Sequence, residues 1–210
     1  MVLVKVCGIT NLDDALAAAD AGADALGFNF YARSPRYLTP ESARTIVDRL
    51  RVDYPNILNV GVFVNEGLDA IQKIAAVAGV SALQLHGDET PEYCQALHGH
   101  YLIKVFSAGD KFTPQIVLDY DVEAIMLDAA DKEAFGGTGK LSKWAVARET
   151  RELVPKLFLA GGLSADNVAN ALTEVKPFAV DACSRLESTP GRKDQTRVRA
   201  FVAAVRAATA

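Results

Sequence analysis

Cys7 closes the short β-branched run Val2-Leu3-Val4-Lys5-Val6-Cys7, and Gly8 directly after it allows a sharp turn. Asn11, with the acids Asp13 and Asp14 behind it, then reads as a helix start. The carboxyl end of a strand is where a parallel α/β protein places its chemistry, because the loops that follow the strands converge there and helix amino termini point at the ligand. Ionised, a thiol at that end can take a proton; neutral and buried, it is a small core hydrophobe. Lys5 lies two residues back on the same strand face, where a cation favours the thiolate.

Three glycine clusters mark a second kind of chemistry. Phe135-Gly136-Gly137-Thr138-Gly139-Lys140, Gly161-Gly162 and the turn Pro190-Gly191 each follow or interrupt a loop. Backbone amides gathered at helix starts bind phosphate, and barrel enzymes often do this in the loops after strands seven and eight with help from a short extra helix. Gly137, Gly161, Gly162 and Ser184 are the candidate anion-binding positions, Ser184 lying in a stretch, Ala182 to Glu187, that could form that helix. The spacing around Gly136 to Lys140 is not that of a Walker loop. His86 has no partners at metal-ligand spacing, and no metal is expected.

The elements that must position these residues repeat eight times. Strand-like runs at Val2 to Cys7, Ala25 to Phe30, Leu58 to Val64, Ala82 to Leu85, Leu102 to Phe106, Ala124 to Leu127, Leu157 to Ala160 and Phe178 to Asp181 alternate with amphipathic segments. The helical segments are Asn11 to Ala21, Thr39 or Pro40 to Leu50, Leu68 to Ala78, Pro91 to Leu97, Phe112 to Leu118, Ser142 to Thr150, Ser164 to Leu172 and Asp194 to Ala207. This alternation predicts a single-domain (β/α)8 TIM barrel over residues 1–210, with an open doubly wound sheet as the rival. Period-two counting sends Lys5 and Cys7, Gln84 and His86, Met126 and Asp128, and Asp181 into the lumen. The same counting gives Leu102, Lys104 and Phe106 one shared face, expected to point inward with Ile103 and Val105 under the helices. A lumen carrying Lys5, Lys104, Asp128 and Asp181 would hold both charge signs in a small space, as a polar active site does and as a purely structural ion-pair network also would.

A net charge of −4 with scattered basic residues leaves no electrostatic footprint for nucleic acid. Three cysteines, at 7, 94 and 183, are too few for a disulfide framework and suit a reducing compartment. No apolar run is long enough to span a bilayer, and the first strand begins at Val2, so neither a membrane nor a secretory signal is expected. A cytoplasmic enzyme, monomer or homodimer, is the expectation.

Five motifs, in order, resemble phosphoribosylanthranilate isomerase of tryptophan biosynthesis. They are Lys5 to Thr10, Gln84-Leu85-His86-Gly87, Leu127-Asp128 with Gly136 to Lys140, Gly161-Gly162-Leu163, and Pro190-Gly191-Arg192-Lys193-Asp194. The resemblance implies a (β/α)8 barrel without cofactor or metal. The small-molecule phosphosugar it would act on is N-(5-phosphoribosyl)anthranilate, rearranged to 1-(2-carboxyphenylamino)-1-deoxyribulose 5-phosphate. Position by position it implies Cys7 as general base, Asp128 as general acid, and Arg36 as partner of the anthranilate carboxylate, with Arg33 its neighbour and competitor. Asp181 and Ser184 complete the expected substrate contacts. Arg185 stands where the family commonly has glycine. The alternatives are a related phosphate-binding lyase such as indole-glycerol-phosphate synthase, a barrel that binds phosphosugars without turning them over, and an isomerase that also takes the histidine-pathway aminoaldose.

Overall fold

The computed structural model describes residues 1–109, 111–128 and 143–209. Eight parallel strands close into a barrel in sequence order, so β1 lies beside β8. They are β1 Leu3–Cys7, β2 Ala25–Asn29, β3 Leu58–Phe63, β4 Ala82–Leu85, β5 Tyr101–Ser107, β6 Ala124–Asp128, β7 Leu157–Ala160 and β8 Ala179–Ala182. The open sheet is thereby set aside. The outer helices are α1 Leu12–Asp20, α2 Pro40–Asp53, α3 Leu68–Ala78, α4 Pro91–Gln95, α5 Lys143–Leu153, α6 Val168–Val175 and α7 Gln195–Ala208. A short antiparallel pair, β9 Glu187–Thr189 and β10 Arg192–Lys193, follows β8.

Local chemistry sets the helix starts. The Asn11 side chain accepts from the Asp14 amide, Thr39 from Ser42 with Pro40 in the first turn, and Asp194 from Thr196 and Arg197. Two elements depart from expectation. α6 begins at Val168 and not Ser164, because Asn167 Oδ1 accepts from the Ser164 amide and Ser164 Oγ from the Asp166 amide. Such side-chain bonds to nearby backbone compete with a helix. After β5 the chain makes a 3₁₀ helix, Pro114–Asp119, where an α-helix over Phe112 to Leu118 was expected.

The inward rows fill the lower barrel with an apolar plug that includes Ala25, Val60, Ala82, Ile103, Val105, Met126 and Phe158. Leu26, Phe28, Leu83, Leu85, Leu102 and Leu127 point outward and pack with the helices. The barrel's register carries one correction. Ile103 pairs with Ala124 and Val105 with Met126, so the β-branched residues of β5 enter the lumen and Lys104 faces the helices with Leu102. There Lys104 Nζ meets Glu89 Oε2 at 2.8 Å and the Gly87 carbonyl at 2.7 Å, both side chains 2% exposed. β-Branched residues suit a helix-facing row, but the interior of an eight-stranded barrel is filled by the same residue types. Residue type therefore cannot choose between the faces.

Candidate active site

The site is built on top of the apolar plug, beginning at the seam where β1 meets β8. Lys5 is in register with Asp181, 176 residues away, and its Nζ lies 2.7 Å from Asp181 Oδ1. The fully buried lysine stem fits because its other neighbours in register are small: Ala25 beside Lys5 and Gly27 beside Cys7. A methyl group on Gly27 would come within 2.7 Å of Cys7 Sγ and 3.2 Å of Lys5 Nζ. Burial alone would lower the Lys5 pKa, but the charges of Asp181 and Cys7 outweigh it and hold the ammonium well above its ordinary value.

Cys7 is buried at the top of this seam. The neighbouring Cys183 side chain lowers its pKa, burial opposes, Lys5 lowers it further, Asp181 raises it and Lys193 adds a last lowering; the balance falls from 9.0 to about 6. Cys183 shifts the other way, raised by Cys7 beside it and by burial.

Arg36, on the loop between β2 and α2, reaches Glu187 with two prongs of 2.7 Å each. Glu187 also accepts from Lys193 Nζ at 3.1 Å and from the Gly191 amide at 3.3 Å. Burial pushes the Glu187 carboxyl up, yet hydrogen bonds and charge from Arg36 and Lys193 hold it below the ordinary value.

One cavity of about 290 Å³ connects Cys7, Cys183, Asp181 and Arg36 with the opposite wall. Its lining brings together seven of the eight positions singled out from the sequence: Cys7, Arg36, Asp128, Gly161, Gly162, Asp181 and Ser184. Gly137, with the rest of the Gly136 to Lys140 loop, lies outside the described residues. Gly161 and Gly162 have φ of +101° and +67°, which only glycine adopts without strain, so the β7 loop can turn its backbone toward the cavity. Arg185, on the 3₁₀ helix Ser184–Leu186, borders the same space, whereas Arg33 is exposed and lines none of it. Asn29, Gln84 and His86 line it as well. Burial lowers the His86 pKa, against the pull of Asp128 and Asp181. Sequence reasoning passed over Cys183, Glu187 and Lys193. For Cys183 the signal was the inward alternation Ala179, Asp181, Cys183, readable only once β8 is known to lie against β1; Glu187 and Lys193 sit on the separate β9–β10 pair and carried no such signal.

The chain matches the family model described as N-(5'phosphoribosyl)anthranilate (PRA) isomerase over residues 4–204. It is 46% identical over 206 residues to the N-(5'-phosphoribosyl)anthranilate isomerase of Syntrophus aciditrophicus, covering 98% of this chain and 88% of that protein. Among solved structures it superposes on phosphoribosyl anthranilate isomerase from Thermotoga maritima with a TM-score of 0.87 and 38% identity, over 99% of this chain and 100% of that one. A phosphoribosyl anthranilate isomerase in complex with reduced 1-(o-carboxyphenylamino)-1-deoxyribulose 5-phosphate matches equally, with a TM-score of 0.87, 38% identity, and 99% and 100% coverage.

Proposed function

The chain belongs to the N-(5'-phosphoribosyl)anthranilate isomerase family, and from that membership we propose that it rearranges its substrate with Cys7 as general base and Asp128 as general acid. It is an isomerase of tryptophan biosynthesis, which sets aside the lyase alternative. We read residues 1–210 as one domain. The three free thiols suit the cytoplasm, where we place the enzyme.

The observation that carries this reading is that Cys7 and Asp128 end the inward rows of two strands on the same cavity, at opposite ends of the series β1, β8, β7, β6. A planar sugar derivative between them would present its ring oxygen to one and its C2 hydrogen to the other. Asp128 gives a proton to the furanose oxygen as the C1–O bond breaks, and the nitrogen lone pair forms a protonated Schiff base at C1. The Cys7 thiolate then takes the C2 proton; the C–H electron pair becomes the C1=C2 bond, and the former C=N pair returns to nitrogen. The resulting enolamine tautomerises to the 2-ketone. Charge is conserved throughout, and no external reductant or oxidant enters.

Around that pair, Arg36 receives the anthranilate carboxylate, because a guanidinium fork matches a planar carboxylate. The phosphate lies against the backbone of the loops after β7 and β8, at Gly161, Gly162 and Ser184. Cys7 would be a poor base as a thiol; the surroundings of its sulfur make it a thiolate near neutral pH. The test is incubation with enzymatically generated N-(5'-phosphoribosyl)anthranilate, followed by loss of its anthranilate-type fluorescence. Turnover by the wild type and its loss in Cys7→Ala support the assignment. A near-normal rate in Cys7→Ala removes Cys7 as base, and no turnover by the wild type leaves a barrel that only binds.

A further inference from the structure

Cys183 stands next to Cys7 for a topological reason. Val6 of β1 is in register with Ala182 of β8, so Cys7 and Cys183 each directly follow a paired residue on two neighbouring parallel strands. At Cys183 the chain leaves strand geometry, with φ −133° and ψ −85°, and the side chain lies over Gly8. A methyl group on Gly8 would come within 2.9 Å of Cys183 Sγ and 2.7 Å of Arg36 Cδ. Glycine after the strand cysteine thus leaves the space that the second sulfur occupies.

The Cys183 thiol has one proton and two acceptors nearby. Glu187 Oε1 is 3.9 Å from its sulfur, a long contact to an oxygen that already accepts from Arg36, Lys193 and the Gly191 amide. Lys193 Nζ approaches the same sulfur at 3.8 Å and the Cys183 carbonyl at 3.2 Å, so it fixes the residue without supplying an acceptor. The other acceptor is Cys7, which ends the neighbouring strand beside it. We propose that Cys183 is the positioning residue of the base: its S–H donates to the Cys7 sulfur and keeps that sulfur deprotonated on the cavity wall.

The charged and titratable groups that bear on Cys7 are Lys5 from its own strand, Asp181 and Cys183 from β8 and its extension, Lys193 from β10 and Arg36 from the β2 loop. Lys5 bears on Cys7 as well as on Asp181, whose carboxylate lies 2.7 Å from its Nζ and offsets part of its charge. A neutral donor beside the sulfur adds to what remains of that cation's effect. Paired cysteines use the same device when one thiol stabilises the other's thiolate.

The proposal rests on the reading of Cys7 as base, so the experiment must read ionisation apart from catalysis. The rate of Cys7 alkylation by iodoacetamide is followed against pH in the full-length enzyme, with the modified peptide identified by mass spectrometry, and kcat/KM is measured over the same range. In Cys183→Ala both midpoints should move upward by about one to two pH units, the worth of one charge-assisted hydrogen bond. Cys183→Ser keeps a donor and should restore most of the shift. A residue that only fills space would move neither midpoint. An unchanged alkylation midpoint in Cys183→Ala overturns the proposal, as does an equal shift in the alanine and serine variants. Failure of the base reading shows separately, as an active Cys7→Ala enzyme, and leaves the alkylation result standing.

Discussion

Arg36 and Glu187, 151 residues apart, meet in a two-pronged ion pair in which Nε and Nη2 of the guanidinium each lie 2.7 Å from a carboxylate oxygen. Glu187 thereby takes the side fork and fixes the plane of the group. Among the described residues the Nη1–Nη2 edge has no further hydrogen-bond partner, on a side chain that lines the cavity, and a guanidinium edge of that kind matches a carboxylate.

Arg36→Ala should therefore raise KM by about 10- to 100-fold, the worth of hydrogen bonds to a charged group, with kcat changed far less. Inhibition by a product analogue without the carboxylate is the control. Wild type and variant should bind that analogue alike; if the variant discriminates the two compounds as strongly as the wild type, Arg36 is not the carboxylate's partner.

The pH profile tests the base. Because the thiolate is the active form and the Cys7 pKa is lowered from 9.0 to about 6, kcat/KM should be flat at neutral pH and fall as pH drops through about 6, where the sulfur takes up its proton. A limb near 9.0 would mean an unperturbed thiol and would contradict the site described here. Asp128→Asn keeps the shape of the acid and removes its proton; kcat should fall about 10²- to 10⁴-fold with the acid limb in place. Retention of most of kcat would send the search for the acid elsewhere.

The barrel is legible in the sequence because eight β/α pairs repeat with caps and glycine stops where helix physics requires them, and because period two sorts inward from outward rows. Lys5, Cys7, Gln84, Met126, Asp128 and Asp181 obey that sorting. Lys104 does not, since period two groups residues into faces without saying which face is inside. Contacts across the seam are not legible at all: Cys183 comes beside Cys7, and Glu187 meets Arg36, only because closure brings distant parts of the chain together.

The Lys104–Glu89 pair gives that correction an energetic test. Lys104→Met leaves a carboxylate buried against backbone amides of Asn65 and Gly87 with no counter-charge, a change that costs about 3–5 kcal/mol for buried pairs. Adding Glu89→Gln removes the stranded charge, keeps an acceptor for the amides and should recover much of the loss in denaturant titrations. Glu89 is pushed up by burial but held below its ordinary pKa by Lys104 and the Asn65 amide. Its contribution to stability is thus full above 4.5 and is lost as pH falls through the lowered value. Since Lys104 faces the helices, kcat of the folded variants should stay near wild type. A specific loss of kcat without loss of stability would return Lys104 to the lumen.

Arg185 occupies a position where backbone, not side chain, is expected to hold phosphate. Asn65 and Lys176 are the only non-glycine residues with positive φ among the described residues, so Arg185 has an ordinary backbone in the 3₁₀ helix Ser184–Leu186, and nothing in the turn demands glycine. Its side chain is exposed at the cavity rim. An exposed guanidinium there adds a weak, salt-screened attraction for a dianion while the amides of the β7 and β8 loops keep their positions. Arg185→Gly should then raise KM only about two- to five-fold at low salt, and the difference should shrink as added salt shortens the screening length. Initial rates at low and high ionic strength measure both. If Arg185→Gly instead abolishes binding at every salt concentration, the guanidinium is a direct phosphate ligand, and this chain holds its substrate's phosphate by a side chain where the amides alone were expected to suffice.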